Sequence, residues 1–255
     1  MGELQAPQSL GQQELEDIIA ATLVEARRSG VDQAEVAVSH DIGLAATVRL
    51  GDVENLEYTN DRGIGITVYC GSRKGSASTS DISRDAIREA VGKACTFANY
   101  TAEDKYAGLA DADRMCTEVP DLDLDHPWNL DATAAIELAL ACEASALGYD
   151  KRISNSEGAT AWTNRGVRAY GNTHGFVGSY AKTSHSLSCA VLGVADGDME
   201  RDYYYSSARD PADLETAENI GVKAATRALQ RLGARKIKTT RAPVLFTPEL
   251  ARGFT

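Results

Sequence analysis

The sequence predicts an α+β fold in which a mostly antiparallel sheet carries packed helices, arranged as two helix–strand-meander–helix halves. Three observations predict it. Short β-prone runs are separated by turn residues such as Gly51-Asp52, connections too short for the crossover that a parallel pair requires. Segments with helical periodicity flank these runs and do not alternate with single strands. The order helix, meander, helix then occurs twice along 255 residues, enough chain for one large domain or two modest halves at 1–110 and 120–255.

The first element, Glu14 to Ser29, places Leu15, Ile18, Ile19, Thr22, Leu23 and Ala26 on one helical face, and Gly30 is positioned to end it. Ala34–Ser39, Leu44–Leu50, Val53–Tyr58 and Ile64–Cys70 follow as strands, with breaks expected at Gly51-Asp52 and at Asn60-Asp61-Arg62-Gly63. Arg84 to about Asn99 is a helix capped by Ser83, stapled by Ile82 and Ile87, and buried along Ile87, Ala90, Val91, Ala94 and Ala98. Thr101 to Asn129 is polar and turn-rich, a connection. Asp131 to Leu147 is an Ala-rich helix closed by Gly148. Strands are expected at Ala159–Thr163, Val167–Tyr170, Gly178–Val194 and Tyr203–Tyr205. Asp210-Pro211 then opens a helix running to about Leu232, with Arg227 and Arg231 near its negative end. A last strand, Val244–Phe246, precedes Pro248, which can start a helix.

Composition excludes several classes. The net charge of −11 and pI near 4.9 oppose binding to a phosphate backbone or an anionic membrane surface. No stretch approaches the roughly 20 apolar residues of a membrane span, and Met1–Glu16 lacks the regions of a secretory signal. Met1-Gly2 lacks the Ser or Thr that myristoylation needs, because Ala6 stands there. Five scattered cysteines with no Cys-x-x-Cys read as reduced structural thiols, which points to the cytoplasm.

No complete catalytic constellation emerges. None of His40, His126, His174 and His185 precedes a Glu, so no His-Glu-x-x-His motif exists in this chain. His174 and His185, eleven positions apart, would sit on opposite faces of one uninterrupted strand. Asp121, Asp123 and Asp125 open like a calcium loop, but His126 and Ala132 stand where its Gly and Glu belong. Gly63-Ile64-Gly65 lacks the third glycine of a dinucleotide site, and Gly71–Ser76 reads as a basic hairpin. Thr173, within Gly171-Asn172-Thr173-His174-Gly175, is followed by more strand where a nucleophile elbow needs a helix. The run Asp196-Gly197-Asp198-Met199-Glu200-Arg201-Asp202 reads first as a hairpin tip, with peptide or partner contact at Asp198, Glu200, Arg201 and Asp202 as the functional alternative.

Longer residue patterns carry more. Asp52-Val53-Glu54-Asn55-Leu56-Glu57-Tyr58, Gly63-Ile64-Gly65-Ile66-Thr67-Val68-Tyr69 and Arg73-Lys74-Gly75-Ser76-Ala77-Ser78 with Asp81 form one segment. The second comprises Lys151-Arg152-Ile153-Ser154-Asn155-Ser156-Glu157-Gly158, Gly171–Gly175, Ser184-His185-Ser186-Leu187-Ser188 and Gly197–Tyr203, with Pro120-Asp121-Leu122-Asp123-Leu124 and His126-Pro127 before it. Together they resemble the PmbA (TldE) branch of the TldD/PmbA family over nearly the whole chain.

The resemblance implies a cytoplasmic bacterial protease pair. Its TldD-type subunit holds zinc through a His-Glu-x-x-x-His helix, and the PmbA-type subunit completes a cavity where unfolded peptides are cut. It implies no cofactor and no catalytic or metal-ligating residue in this chain, zinc in a TldD-like partner, and a homodimer as an assembly open to the lone subunit. It also implies a further C-terminal domain beyond Thr255, so that residues 1–255 form the N-terminal part. The alternative is a non-proteolytic peptide- or protein-binding modulator related to DNA gyrase or to a toxin–antitoxin system.

Overall fold

The computed structural model describes residues 10–254. Its first half runs α1 (Gln12–Arg28), β1 (Gln33–Arg49), β2 (Asp52–Cys70), β3 (Arg73–Thr79) and α2 (Arg84–Tyr100). The second runs α3 (Ala132–Leu147), β4 (Ile153–Asn172), β5 (Val177–Ala195), β6 (Asp198–Ala208) and α4 (Ala217–Arg231), with the short α5 (Pro248–Ala251) after it. All six strands form one antiparallel sheet in the order β3-β2-β1-β4-β5-β6. The central β1–β4 pair therefore joins the two halves.

Local chemistry explains most boundaries. Ser83 accepts a hydrogen bond from Ala86 N, so the expected cap is formed, and Asp131, read as the first residue of its helix, is instead the cap and accepts from Ala134 N. The α2 stripe is the expected Ile87, Ala90, Val91, Ala94 and Ala98. Leu50-Gly51 and Asp196-Gly197, all at positive φ, make the two-residue turns of the β1–β2 and β5–β6 hairpins.

Three expectations are corrected. Asn60-Asp61-Arg62-Gly63 does not turn: these residues pair in unbroken register with Ile42, Asp41, His40 and Ser39. A neighbouring strand supplies a ladder along this stretch, and that outweighs its local turn preference. Asp210 caps only one 3₁₀ turn, Pro211–Asp213; Leu214 returns to extended backbone, and Thr216, bonded to Asn219 N, caps the real α4. Val244–Phe246 is not a strand, and Val244 and Leu245 are 70% and 96% exposed with no partner strand among the described residues.

Alternation along β1 places the core. Ala34, Val36 and Val38 pack with α1 and α2, while Leu44, Ala46 and Val48, on the same face, pack with α3 and α4. Both helix pairs thus lie on one side of the sheet, and its other side carries no α-helix among the described residues.

Candidate functional site

The uncovered sheet face presents the opposite parity: Glu35, Ala37, Ser39 and Asp41 in β1, Gly63, Gly65 and Thr67 in β2, and Arg168 and Tyr170 in β4. Small residues here bring solvent close to the backbone. The connection between the halves crosses part of this face and then rounds the β5 edge. Met115 Sδ accepts from Asn172 Nδ2 at 3.6 Å, and Leu124 O accepts from Thr183 N at 2.8 Å. Between this strap and the sheet lies a cavity of about 1570 Å³, lined by Ser39, Gly65, Arg168, Tyr170 and Tyr180 of the sheet and by Asp121 of the strap. That volume exceeds an ordinary small-ligand pocket and accommodates several residues of extended chain.

Ion pairs tie the sheet to its surroundings. Arg168 and Asp41 meet at 2.7 Å on this face, and Arg165, on the helix side of β4, binds Asp125 of the strap through two hydrogen bonds of 2.9 and 2.7 Å. Glu35 is the exception in kind: each of its oxygens accepts a tyrosine hydroxyl, Tyr69 on Oε1 and Tyr170 on Oε2, both at 2.9 Å. Burial first, and the bond to Glu35 second, push the Tyr69 hydroxyl up to about 12. Burial also raises the Tyr170 hydroxyl. Two neutral phenols therefore share one carboxylate at the start of β1. Nothing in the sequence marks this cluster, since its members come from three strands and meet only through register.

The predicted residues fall in several places. Asp198, Glu200, Arg201 and Asp202 begin β6 and form internal ties: Gly233 N donates to Asp198, Arg231 meets Glu200 at 3.3 Å, and Arg201 pairs with Glu157. Asp202 is buried and faces both Arg227 and Arg231 of α4. Thr173 and His174 lie in the β4–β5 turn, which Gly175 enables at φ 98°. The Thr173 hydroxyl accepts from Ala34 N at 3.0 Å, so it anchors the start of β1. His174 is exposed, whereas His185 is buried between Thr163 and His126 O, so the two never share one uninterrupted strand. His40 is buried too, bonded to Asn60 Oδ1 at 2.7 Å. Cys142 and Cys189 are buried in mutual contact; that contact and burial raise the Cys142 thiol, which makes it a poor nucleophile. Among the described residues no three His, Cys, Asp or Glu side chains gather as metal ligands. No helix among them is long and apolar enough to cross a membrane.

Comparison with known proteins gives this geometry a family. Residues 34–98 match the model of PmbA/TldA metallopeptidase domain 1, and residues 125–232 match the PmbA/TldA metallopeptidase central domain. The chain is 45% identical over 239 residues to metalloprotease PmbA of Escherichia coli O157:H7, covering 94% of this chain and 53% of the relative. It is 42% identical over 242 residues to a PmbA homolog of Haemophilus influenzae, again covering 53% of that protein. The chain thus spans about half the length of these relatives. Among solved structures, a candidate modulator of DNA gyrase from Bacteroides thetaiotaomicron superposes with TM-score 0.81 at 26% identity, over 88% of this chain and 52% of that one. TldE from Thermococcus kodakarensis shares the fold at TM-score 0.64 and 16% identity, over 84% of this chain and 47% of its own. With two models of one family on successive segments and this identity to PmbA proteins, the chain belongs to the PmbA/TldE type of the PmbA/TldD metallopeptidase family.

Proposed function

We propose that this chain is the peptide-facing part of a PmbA/TldE-type subunit in a two-subunit zinc protease of the cytoplasm. Its uncovered sheet face walls a chamber for unfolded peptide, while a TldD-like partner holds the zinc and cuts. The observation that carries the reading is the helix-free face of the sheet, with small side chains over a cavity of about 1570 Å³. Exposed backbone beside small residues suits main-chain recognition, which binds extended peptides with little preference for sequence. In that division of labour zinc on the partner polarises the carbonyl and activates water. Contact with peptide or partner at Asp198, Glu200, Arg201 and Asp202 belongs to the proposal as well. The ion pairs of Glu200, Arg201 and Asp202 with α4 and Glu157, and the bond from Gly233 N to Asp198, are what such a contact would share or displace.

The test is peptidase activity and bound zinc on the full-length protein, alone and mixed with its TldD-like partner. Zinc-free, inactive protein alone and a chelator-sensitive, active mixture are expected. Stoichiometric zinc with peptide cleavage by the lone protein overturns the reading. A mixture that binds peptide but never cuts it favours instead a non-proteolytic modulator; the Bacteroides structure is named as a candidate modulator of DNA gyrase.

A further inference from the structure

The register of the sheet repeats between the halves. Val36↔Ile66, Val38↔Ile64 and His40↔Arg62 in the β1–β2 pair correspond, at constant spacing, to Ala159↔Cys189, Ala161↔Leu187 and Thr163↔His185 in the β4–β5 pair. One step further, Asn60 of β2 takes the place of Thr183 of β5. In both halves the outer strand is shorter than its neighbour. β6 pairs β5 only from His185 onward, and β3 pairs β2 only from Ile64 onward.

The two vacated edges differ in what covers them. On β5 the strap adds as an extended segment: Thr183 N donates to Leu124 O at 2.8 Å, His126 N donates to Thr183 Oγ1 at 2.9 Å, and Asp125 pairs with Arg165. On β2, residues 52–63 have a strand only on the β1 side among the described residues. Alternate residues of an antiparallel strand aim their N–H and C=O to the same side. Asn60, like Thr183, therefore turns its N–H outward, and Leu56 and Tyr58 do the same. The side chains along this edge are two-faced. Leu56 and Tyr58 lie on the helix side of the sheet, yet are 41% and 45% exposed. Glu57 and Asp61 lie on the other side, without ion-pair partners among the described residues.

We infer that the β2 edge from Leu56 to Asp61 is a strand-addition site for an extended peptide whose side chains alternate apolar and basic. The peptide backbone continues the ladder, its apolar side chains cover Leu56 and Tyr58, and its cations meet Glu57 and Asp61. A long unpaired edge left bare invites aggregation, and a resident peptide removes that hazard while it is bound. The inference rests on the peptide-handling role proposed above and names the chemistry of the peptide.

The test uses the full-length protein with its TldD-like partner and an acetylated hexapeptide alternating valine and lysine. Amide hydrogen exchange at Leu56, Tyr58 and Asn60 is read together with binding by fluorescence anisotropy. The Val-Lys peptide is expected to slow those three amides. Tyr58→Pro, which removes an outward N–H while sparing the β1 ladder, weakens binding about tenfold. Glu57→Lys with Asp61→Lys should reverse the preference toward a Val-Glu peptide, which tests the site even if the proline variant misfolds. Binding that ignores these substitutions, or amides already slow without peptide, overturns the inference. Peptidase activity in the mixture with unprotected β2 amides sinks the site and leaves the subunit reading standing. Protection of β2 in a mixture that never cuts peptide does the reverse.

Discussion

Glu143 of α3 holds the β1–β2 turn by its backbone: Leu50 N donates to Oε1 and Gly51 N to Oε2, both at 2.9 Å. The carboxylate is buried, and the turn it grips is formed by two residues at positive φ. A helix of the second half thereby fixes the hairpin of the first. Glu143→Gln turns an NH₂ toward one of these N–H groups and should cost about 1–3 kcal/mol of stability. Chemical denaturation of the variant checks this, and an unchanged midpoint would count against the role assigned to the pair.

Two glycines should respond to alanine in opposite ways. A Cβ on Gly75 of β3 would overlap Ala94 O and Ala98 N of α2, backbone that cannot retreat. Gly75→Ala should therefore destabilise by about 1–3 kcal/mol, the usual cost of overpacking. Gly92, in the middle of α2, has nothing within 4 Å of an added Cβ. Gly92→Ala should stabilise by about 0.5–1 kcal/mol through helix propensity. Thermal melts of both variants decide the matter.

Tyr69 predicts a loss of stability at high pH. Its hydroxyl ionises near 10 when unfolded, and is pushed up to about 12 in the folded chain by burial and by Glu35. The folded state thus keeps a proton that the unfolded state has released, so the stabilisation is complete below pH 10 and is lost as pH rises toward about 12. Denaturation midpoints from pH 9 to 12 should fall, and Tyr69→Phe should flatten that fall.

The strap should be separable from the core. Arg165 and Asp125 are partly exposed, at 42% and 28% of their side-chain surfaces, so Arg165→Gln is expected to cost under about 1 kcal/mol overall. The Thr183 amide, which donates to Leu124 O, should nevertheless exchange faster in that variant. Equal exchange would show that the strap is held by other contacts, such as His126 N on Thr183.

Much of this was legible in the residues. Helical periodicity gives the buried stripe of α2 in full and all but Ile18 of the α1 face, because both depend on spacing within one element. The cap Ser83 and the Asp196-Gly197 turn follow from local hydrogen bonding and backbone preference. Apart from Pro120–Leu124, the motifs quoted for the family lie within segments that its models match. The Glu35 cluster was not legible, and neither was the engagement of Asp198, Glu200 and Asp202 with α4 and the residues after it.

The sequence by itself determined the main helices and strands (though not the start of α4 or the coil at Val244–Phe246), the antiparallel character of the sheet, and the membership of a metallopeptidase family. Those properties are encoded in neighbours a few positions apart, or in contiguous motifs. Only the tertiary structure decided that β1 and β2 run unbroken through Asn60–Gly63, that the halves join through β1 and β4, and that among the described residues one sheet face has no α-helix and one edge no partner strand. The reason is physical: a ladder hydrogen bond is made with a strand far along the chain, and its free energy outweighs the turn preference of four polar residues once that strand is in place.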